Sequence, residues 1–511
     1  MSNKISQLKA GSLLSYIQMA VSIIVGILYT PIMIRLLGKS EYGLYSTVSS
    51  TIAMLSILNL GFKSGYVRYF AKYKKEGDEE SIAKLNGLYL IIFSVIGTIA
   101  LVCGLFLTFN LELVFSTGLT DKEYITAKVL MLLLTINLAT SFPFGVFSNI
   151  ISTNERFIFL KVVGIIRTVV NPIIVLPLLL LGYGSIAIVV VTITLNLLSD
   201  FIYILYVVKV LKNKFVFHGF EKGLFKGIFG FTIFIAINLI VDQINWNIDK
   251  VLLGRLRGTA SVAVYAVAST LHSYYLMFST SISSVFTPRI YKLITQTEND
   301  KALQRQKLTD LFIKVGRIQF LILGLIASGV VFFGKPFIAF WAGNGYEEAY
   351  YVALLLILPV TIPLIQNLGI EIQRAQNKHK FRSILYLCMA IANLALSIIL
   401  IKSYGAIGAA IGTAISLLIV NGLIINIYYH KKCNINVVKF FASILRLCVG
   451  LIIPVIVGVG IIRFVPLYNI WLMLLFILIY SVIYIVSMWL FAMNSFEKDL
   501  IRKPLKKLFG K

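Results

Sequence analysis

The sequence predicts an all-α integral membrane protein with about fourteen transmembrane helices, and three observations support this fold class. Of its 511 residues, 59% are hydrophobic and 13% are charged, whereas a soluble domain carries about 25% charged residues. The mean hydropathy is +0.90. Apolar runs of about 20 residues or more recur along the chain, and each can cross a hydrocarbon layer of roughly 30 Å as a helix.

The apolar runs define the predicted spans, and the segments between them are too short to form a catalytic or receptor domain. The longest of these segments covers only positions 289–311. The fourteen spans are 13–34, 46–70, 83–109, 124–149, 159–182, 186–208, 227–248, 261–288, 312–334, 350–371, 383–401, 405–428, 440–462 and 469–492.

The net charge of +26 is distributed unevenly between the two faces of the membrane. With the N-terminus in the cytoplasm, the inner segments hold 29 Lys and Arg residues and the outer segments hold 9. Positive residues are retained on the cytoplasmic side, so both termini are predicted to be cytoplasmic. The basic composition therefore indicates orientation in a membrane and does not indicate nucleic-acid binding.

The four cysteines give no sign of a disulfide or a metal site. Cys103, Cys388, Cys433 and Cys448 lie far apart and form no CxxC pair. Because the chain also lacks a complete nucleotide-binding motif, no cofactor is expected, and an ion gradient or the membrane potential is the default energy source.

The chain resembles itself across its middle. The matching segments, which are separated by a nearly constant offset, are Leu36-Leu37-Gly38 with Leu252-Leu253-Gly254, Tyr42-Gly43-Leu44-Tyr45 with Val262-Ala263-Val264-Tyr265, Asn171 with Asn393, and Tyr183-Gly184 with Tyr404-Gly405. Spans 1–6 thus match spans 7–12. Because six is even, the two halves enter the membrane in the same direction, and their pseudo-two-fold axis lies along the membrane normal.

The repeat predicts the domain organisation. Residues 1–208 form an N-terminal six-helix bundle, 209–226 a cytoplasmic linker and 227–430 a C-terminal six-helix bundle. Residues 431–511 supply two additional helices and a basic cytoplasmic tail, whose mixture of apolar and basic residues is typical of a segment on the membrane surface.

Several short motifs occur in a particular order along the spans. They are Leu37-Gly38 with Tyr42-Gly43-Leu44-Tyr45, Asn59-Leu60-Gly61 with Arg68, and Asp249 with Leu253-Gly254 and Tyr265. In these motifs the chain resembles the bacterial polysaccharide and O-antigen flippases of the multidrug/oligosaccharidyl-lipid/polysaccharide exporter superfamily, although that family often has Asp at the position of Asn59. The resemblance covers essentially the whole chain.

This resemblance implies two six-helix bundles around a central cavity in the bacterial cytoplasmic membrane. It implies a flippase, not an enzyme, that moves a polyprenyl-diphosphate-linked oligosaccharide from the inner to the outer leaflet. The implied partners are that substrate, membrane lipids and glycan polymerase machinery, and the chain is expected to act as a monomer.

Four cations within the spans are the candidate substrate-binding residues: Lys63, Arg68, Arg167 and Arg317. A charge at mid-bilayer costs at least ~2.5–3.5 kcal/mol on insertion scales, so it usually faces protein or water. In a wet cavity these side chains would offset the desolvation of a diphosphate, and Arg can bind phosphate oxygens bidentately. The alternative is that they extend along their stems to the inner headgroups.

Three acids are the candidate ion-coupling residues. Asp200 lies at a depth similar to that of Arg167 and is expected to pair with it, whereas Asp242 and Asp249 approach the outer end of span 7.

Three other functions stay open at this point. An ion-coupled small-molecule or drug antiporter of the same superfamily would carry acids in its cavity if its substrates were cations, but the deep charges here are mostly basic. A membrane-embedded glycan polymerase or ligase usually has a long outer loop, and the longest predicted outer loop covers only positions 335–349. A channel is the third, and the asymmetric pattern of polar residues does not favour it.

The topology gives a direct prediction. A fluorescent protein fused after Lys511 should be bright and alkaline phosphatase fused there should be inactive, because the former works in the cytoplasm and the latter outside it. Measuring both fusions in the same strain checks this. An active phosphatase would contradict the even number of spans.

Overall fold

The computed structural model describes residues 2–115, 119–220, 223–284, 286–297, 299–376, 378–467 and 469–508, and these ranges are helical with no β-strand. The predicted all-α class is therefore confirmed. The helices are α1 (Ser2–Met54), α2 (Phe62–Glu76), α3 (Glu79–Phe109), α4 (Asp121–Thr153), α5 (Phe157–Leu180), α6 (Gly184–Leu205), α7 (Leu224–Arg257), α8 (Thr259–Ser284), α9 (Thr287–Gln296), α10 (Lys301–Ala342), α11 (Glu348–Ile365), α12 (Leu368–Ala375), α13 (His379–Leu417), α14 (Ile425–Lys432), α15 (Val437–Val449), α16 (Ile452–Phe464), α17 (Ile470–Phe491) and α18 (Ser495–Leu508).

Many of these helices are long and apolar enough to cross a membrane. In the described ranges nine helices meet that description, or up to eleven if each of two bent helix pairs is one span. Each predicted span overlaps at least one helix, but α1 runs from span 13–34 into span 46–70, and α13 covers both 383–401 and part of 405–428. The count of fourteen crossings stays a prediction.

Glycines with positive φ break the helical path at matching positions of the two halves. Gly38 kinks α1 with φ 75° and ψ 170°, and Gly258, at the offset of the repeat, separates α7 from α8 with φ 80° and ψ 176°. Gly184 and Gly405, which also match in the repeat, have φ 62° and 56°. Other residues rarely adopt such φ values, so the breaks require glycine.

The backbone supports the repeat and corrects one part of its alignment. The sequence matched Gly38 with Gly254, but Gly254 lies inside α7. It packs there against Thr47, where a Cβ would lie 2.6 Å from the Thr47 Cγ2. The conformational equivalent of Gly38 is Gly258. The sequence could not decide between the two, because glycines occur at both ends of the last turn of α7 and only the backbone angles distinguish them.

A pair of hydrogen bonds supports the same repeat. In the first half the Asn171 amide donates to the Thr192 hydroxyl over 3.2 Å. In the second half the Asn393 amide donates to the Thr413 hydroxyl over 3.3 Å. An amide inside an apolar helix needs a partner, and both halves satisfy it with a threonine at the equivalent place.

Clustering by contact divides the chain into two compact units. The first unit contains the chain up to Ala266 together with Leu394–Ala409, and the second contains Val267–Asn393 together with the chain from Ala410 onward. One core of the first unit is aromatic and joins α2, α3 and α4, and a core of the second unit packs Phe332 and Phe333 against Tyr480. These units group helices by contact, whereas the predicted bundles group them by repeat, so the bundle boundaries stay a prediction.

Polar contacts join segments that the predicted topology places on the same face. On the inner face, the Lys74 ammonium donates to the Asn154 side chain over 3.0 Å, and the Asn436 amide N–H donates to the Thr309 hydroxyl over 2.9 Å. These bonds link 71–82 with 150–158 and 429–439 with 289–311. The contacts agree with the order of crossings between these segments.

The glycine breaks predict a difference in stability. Gly38→Ala and Gly405→Ala should each destabilise the protein by about 1–3 kcal/mol, because a residue with a Cβ is strained where φ is positive and ψ is extended. Gly145→Ala is the matched control: Gly145 lies inside α4, and nothing lies within 4 Å of the position that its Cβ would take. Thermal unfolding in detergent should show lower midpoints for the two break variants, and equal midpoints for all three would contradict the argument.

Candidate functional site

Lys63 and Arg68 lie on the exposed face of α2. A 3₁₀ segment, Leu55–Asn59, and the left-handed Gly61 precede this helix, which therefore starts in a new direction. Its other face buries Phe62, Gly65, Tyr66, Phe70 and Tyr73. The buried aromatic face fixes the rotation of α2 about its axis. Lys63 and Arg68 therefore point away from the core and are exposed.

Arg167 belongs to a chain of polar side chains across three helices. Its guanidinium donates to the Asn196 side-chain oxygen over 2.9 Å, and the Asn196 amide donates to the Asn137 oxygen over 3.1 Å. The described residues contain no direct Arg167–Asp200 ion pair, although the two charges attract one another, and Asn196, one turn earlier on α6, accepts the hydrogen bond. Arg167 itself is exposed, so it presents a cation supported by two half-buried amides.

Arg317 is buried in the second unit and is held by acceptors from the C-terminal part of the chain. Its Nη2 donates to the Glu497 Oε2 and to the Ala492 carbonyl, each over 2.9 Å. Its Nε donates to the Glu497 Oε1 over 2.5 Å, and its Nη1 donates to the Ser443 carbonyl over 2.8 Å. All three nitrogens thus fix α18 and α15 to α10. This contact gives the residue a structural role, and its part in substrate binding stays a prediction that the contact does not support.

The three acidic candidates have different surroundings. Asp200 is half-buried and Asp242 is exposed. Asp249 is only 1% exposed, and its Oδ2 accepts a hydrogen bond from the Tyr265 hydroxyl over 2.8 Å. The described residues contain no group of three or more His, Cys, Asp or Glu side chains that could hold a metal. Ion coupling by these acids stays a prediction.

Within the first unit, hydrogen bonds connect segments that the topology places on the outer face. The Ser40 hydroxyl donates to the Glu123 Oε1, and it lies 2.8 Å from the Thr259 hydroxyl. A carboxylate only accepts, so Ser40 must donate to Glu123 and accept from Thr259. In addition, the Arg255 guanidinium donates to the Leu113 carbonyl over 3.1 Å. We call Ser40, Glu123, Thr259 and Arg255 the outer cluster.

The outer cluster lies where the two repeats meet. Ser40 and Thr259 each follow an equivalent glycine break, at Gly38 and Gly258. Ser40 lies two positions and Thr259 one position past its glycine, so nearly equivalent positions are side by side, as a pseudo-two-fold axis would place them. The backbones approach closely there, because a Cβ on Gly43 would lie 1.9 Å from the Thr259 carbonyl oxygen. The kink of α1, the start of α4 and the junction of α7 with α8 are therefore tied together on the predicted outer side.

Glu41 caps a neighbouring helix from outside it. Its Oε1 accepts hydrogen bonds from the Ser185 backbone N–H over 2.6 Å and from the Ser185 hydroxyl over 2.7 Å, at the start of α6. A carboxylate at a helix N-terminus satisfies free N–H groups and the helix dipole. This contact fixes the segment after Gly38 to the first half of the chain.

Comparison with known proteins shows the family. A family model described as "Polysaccharide biosynthesis protein" matches residues 8–294. The chain belongs to this family. The predicted resemblance to polysaccharide flippases is thus confirmed at the level of the family.

The relatives of this chain within polysaccharide biosynthesis have low sequence identity to it. A protein assigned as an O-antigen transporter in Shigella flexneri is 20% identical over 406 residues, which are 78% of this chain and 92% of the relative. The capsular polysaccharide biosynthesis protein CapF of Staphylococcus aureus is 25% identical over 213 residues, 41% of this chain and 50% of the relative. Both relatives are named for polysaccharide or O-antigen biosynthesis, and the Shigella protein is named as a transporter.

Solved structures share the fold. The lipid II flippase MurJ, in an inward closed conformation, superposes with a TM-score of 0.73 at 18% identity, over 96% of this chain and 99% of MurJ. An inward-facing multidrug resistance transporter of the MATE family superposes with a TM-score of 0.61 at 12% identity, over 82% of this chain and 99% of its own. The family member is therefore a multi-pass membrane protein with this transporter fold.

Sequence reasoning missed the amides that hold Arg167 and every member of the outer cluster. Asn137 and Asn196 carry a signal that was available, since two amides inside predicted spans require partners. Ser40, Glu123 and Thr259 carry no such signal, because polar residues are common near the starts and breaks of helices.

The Arg317–Glu497 contact predicts how variants of Arg317 behave. Arg317→Ala should destabilise the protein by about 3–5 kcal/mol, because it leaves a carboxylate that is 2% exposed without its partner. The double variant Arg317→Met with Glu497→Met should recover most of the loss, since two apolar side chains replace a buried pair without leaving a charge. Thermal unfolding measures both. Arg317→Ala with wild-type stability and reduced substrate binding would instead support the predicted binding role.

Proposed function

We propose that this protein flips a polyprenyl-diphosphate-linked oligosaccharide from the inner to the outer leaflet by alternating access. The observation that carries the proposal is the set of cations at intramembrane positions of the first unit. Lys63, Arg68 and Arg167 are all exposed, in predicted spans where a charge facing lipid is costly. A diphosphate crossing the membrane is the kind of ligand that would offset this cost.

The sign of the exposed charges separates this proposal from the second candidate. The fold is shared with a MATE multidrug transporter, so an ion-coupled antiporter is a real alternative. An antiporter of cationic drugs needs exposed acids, yet of the three candidate acids only Asp242 is exposed, and Asp249 is buried against Tyr265. The relatives named for O-antigen transport and lipid II flipping support the flippase.

A groove in the second unit suits the lipid part of such a substrate. It has a volume of about 360 Å³ and lies between α8, α10 and α17. Leu325, Ile326, Val330, Phe333 and Ile477 line it, and among its described lining residues only Tyr480 and Ser481 carry polar side-chain groups. An apolar groove of this kind would hold a polyprenyl chain while the charged head crosses elsewhere.

Depletion in the bacterium that encodes the protein tests the function. The lipid-linked oligosaccharide should accumulate on the inner leaflet, where a glycosidase added to intact spheroplasts cannot reach it but one added to inverted vesicles can. Normal exposure on the outer leaflet after complete depletion would reject the proposal. Changed resistance to cationic drugs with unchanged oligosaccharide exposure would favour the antiporter.

The exposed cations of α2 predict a transport defect without a folding defect. Lys63→Ala or Arg68→Ala should weaken substrate capture tenfold or more, because a hydrogen bond to a charged group contributes about 1.5–3 kcal/mol. Lys75→Ala is the matched control, since Lys75 lies on the same helix beyond span 46–70. Complementation of the depleted strain, normalised to protein level, measures the effect. Full transport by both variants would show that the two cations only extend to headgroups.

The outer cluster predicts that locking the outer side stops transport. In a background without the four native cysteines, Ser40→Cys with Thr259→Cys should form a disulfide on oxidation, because the two hydroxyl oxygens are 2.8 Å apart. Transport should cease on oxidation and return on reduction. Each single variant serves as the control. Undiminished transport with the disulfide formed would rule out opening at the outer cluster.

A further inference from the structure

A basic cleft in the second unit is lined by none of the residues assigned so far. It has a volume of about 710 Å³ and lies between α9 and the first part of α10. Arg289 and Lys292 line it from α9, and Lys307 and Lys314 line it from α10. We call this the α9–α10 cleft. Its size lies within the range of about 300–1,000 Å³ that is usual for small-molecule sites.

The spacing of these residues places the cations on facing sides of two helices. Arg289 and Lys292 are three positions apart, and Lys307 and Lys314 are seven positions apart, so each pair follows one helix face. Ile290 is fully buried and sets the rotation of α9. The two cationic faces are therefore presented to one another by ordinary helix packing.

The charges of the cleft are not balanced by protein groups. Asp310 is the one acid among its described lining residues, so the lining carries four positive charges and one negative charge. In the described part of the chain none of the four cations forms an ion pair, although the Lys314 ammonium lies 3.3 Å from the centre of the Phe496 ring. Like charges gathered in one place repel, and an anion from outside the protein relieves the repulsion.

The position and charge of the cleft select the chemical class of that anion. Segment 289–311 is predicted to face the cytoplasm, at the level of inner-leaflet headgroups. Arg binds phosphate oxygens bidentately and Lys binds them as a point charge. A phosphodiester headgroup has a single negative charge, whereas a diphosphate has more and matches a net lining charge of three better.

We propose that the α9–α10 cleft binds the diphosphate head of a polyprenyl-linked lipid on the cytoplasmic side, before the head enters the transport path. The inference rests on the proposed function for the identity of the lipid. It adds a binding site in the second unit, separate from Lys63, Arg68 and Arg167 in the first.

The test measures binding of polyprenyl diphosphate to the purified full-length protein in phosphatidylcholine nanodiscs. Arg289→Gln with Lys292→Gln, and Lys307→Gln with Lys314→Gln, should each weaken binding about tenfold or more, because each removes two charged donors. Lys301→Gln with Arg305→Gln is the matched control: it removes two exposed cations of α10 that do not line the cleft. It should bind within about twofold of wild type, since neither side chain lines the cleft.

Asp310→Asn gives a test of opposite sign. Removing the acid of the cleft should strengthen binding by about two- to fivefold, by the Coulomb interaction of one charge at partly solvated distances. A gain in affinity cannot arise from damaged folding, so it supports the site even if a cation pair also lowers stability.

Two further ligands test which chemical class of anion the cleft binds. Phosphatidylglycerol and inorganic pyrophosphate should both bind more weakly than polyprenyl diphosphate, the first for lack of charge and the second for lack of a lipid chain. Equal binding of either, or equal losses in the cleft and control variants, would overturn the inference. Tight binding by wild type that every cleft variant retains would overturn it and leave the flippase proposal standing, whereas no binding of polyprenyl diphosphate by wild type would count against both.

Discussion

The hydrocarbon layer offers no partners to a backbone N–H or C=O, and the rest of this structure depends on that constraint. A chain in such a medium crosses it as helices, because only a helix satisfies its own backbone. Between crossings, the path turns where a residue tolerates unusual backbone angles or where a neighbouring helix supplies hydrogen bonds. Gly38, Gly258 and Gly405 provide the first device, and Glu41 at the start of α6 provides the second.

The same constraint acts on polar side chains and separates groups with a structural role from the candidate substrate-binding cations. Asn171 and Asn393 are satisfied by threonines at equivalent places in the two halves, and Arg317 is satisfied by Glu497. Lys63 and Arg68 differ because they occupy predicted spans and yet remain exposed. Their exposure is reasonable in a protein whose task is to carry an anionic head through the membrane, and it would be costly in one with no such ligand.

Local features of the sequence were sufficient for the fold class, the positions of most helices and the repeat. They depend on hydropathy over the length of a membrane span and on glycines at a nearly constant offset, which a single chain displays. The sequence did not predict hydrogen-bond partners that are distant along the chain. Glu497 lies far along the chain from Arg317, and Asn196, not Asp200, accepts the hydrogen bond from Arg167. Only the backbone angles show that Gly258, not Gly254, is the equivalent of Gly38 in the second repeat. The exposed cations could be predicted because they are charges within apolar spans. The outer cluster could not, because its polar residues are recognisable only from the contacts between helices.

Transport by the purified protein is the most direct measurement of the account. Full-length protein would be reconstituted into liposomes with a polyprenyl-diphosphate oligosaccharide, and the fraction of lipid open to an impermeant glycosidase would be followed over time. We expect the protein to make nearly all of the lipid accessible, whereas empty liposomes and liposomes with the oxidised outer lock should expose only the outer-leaflet portion. Equal accessibility in the presence and absence of active protein would contradict it.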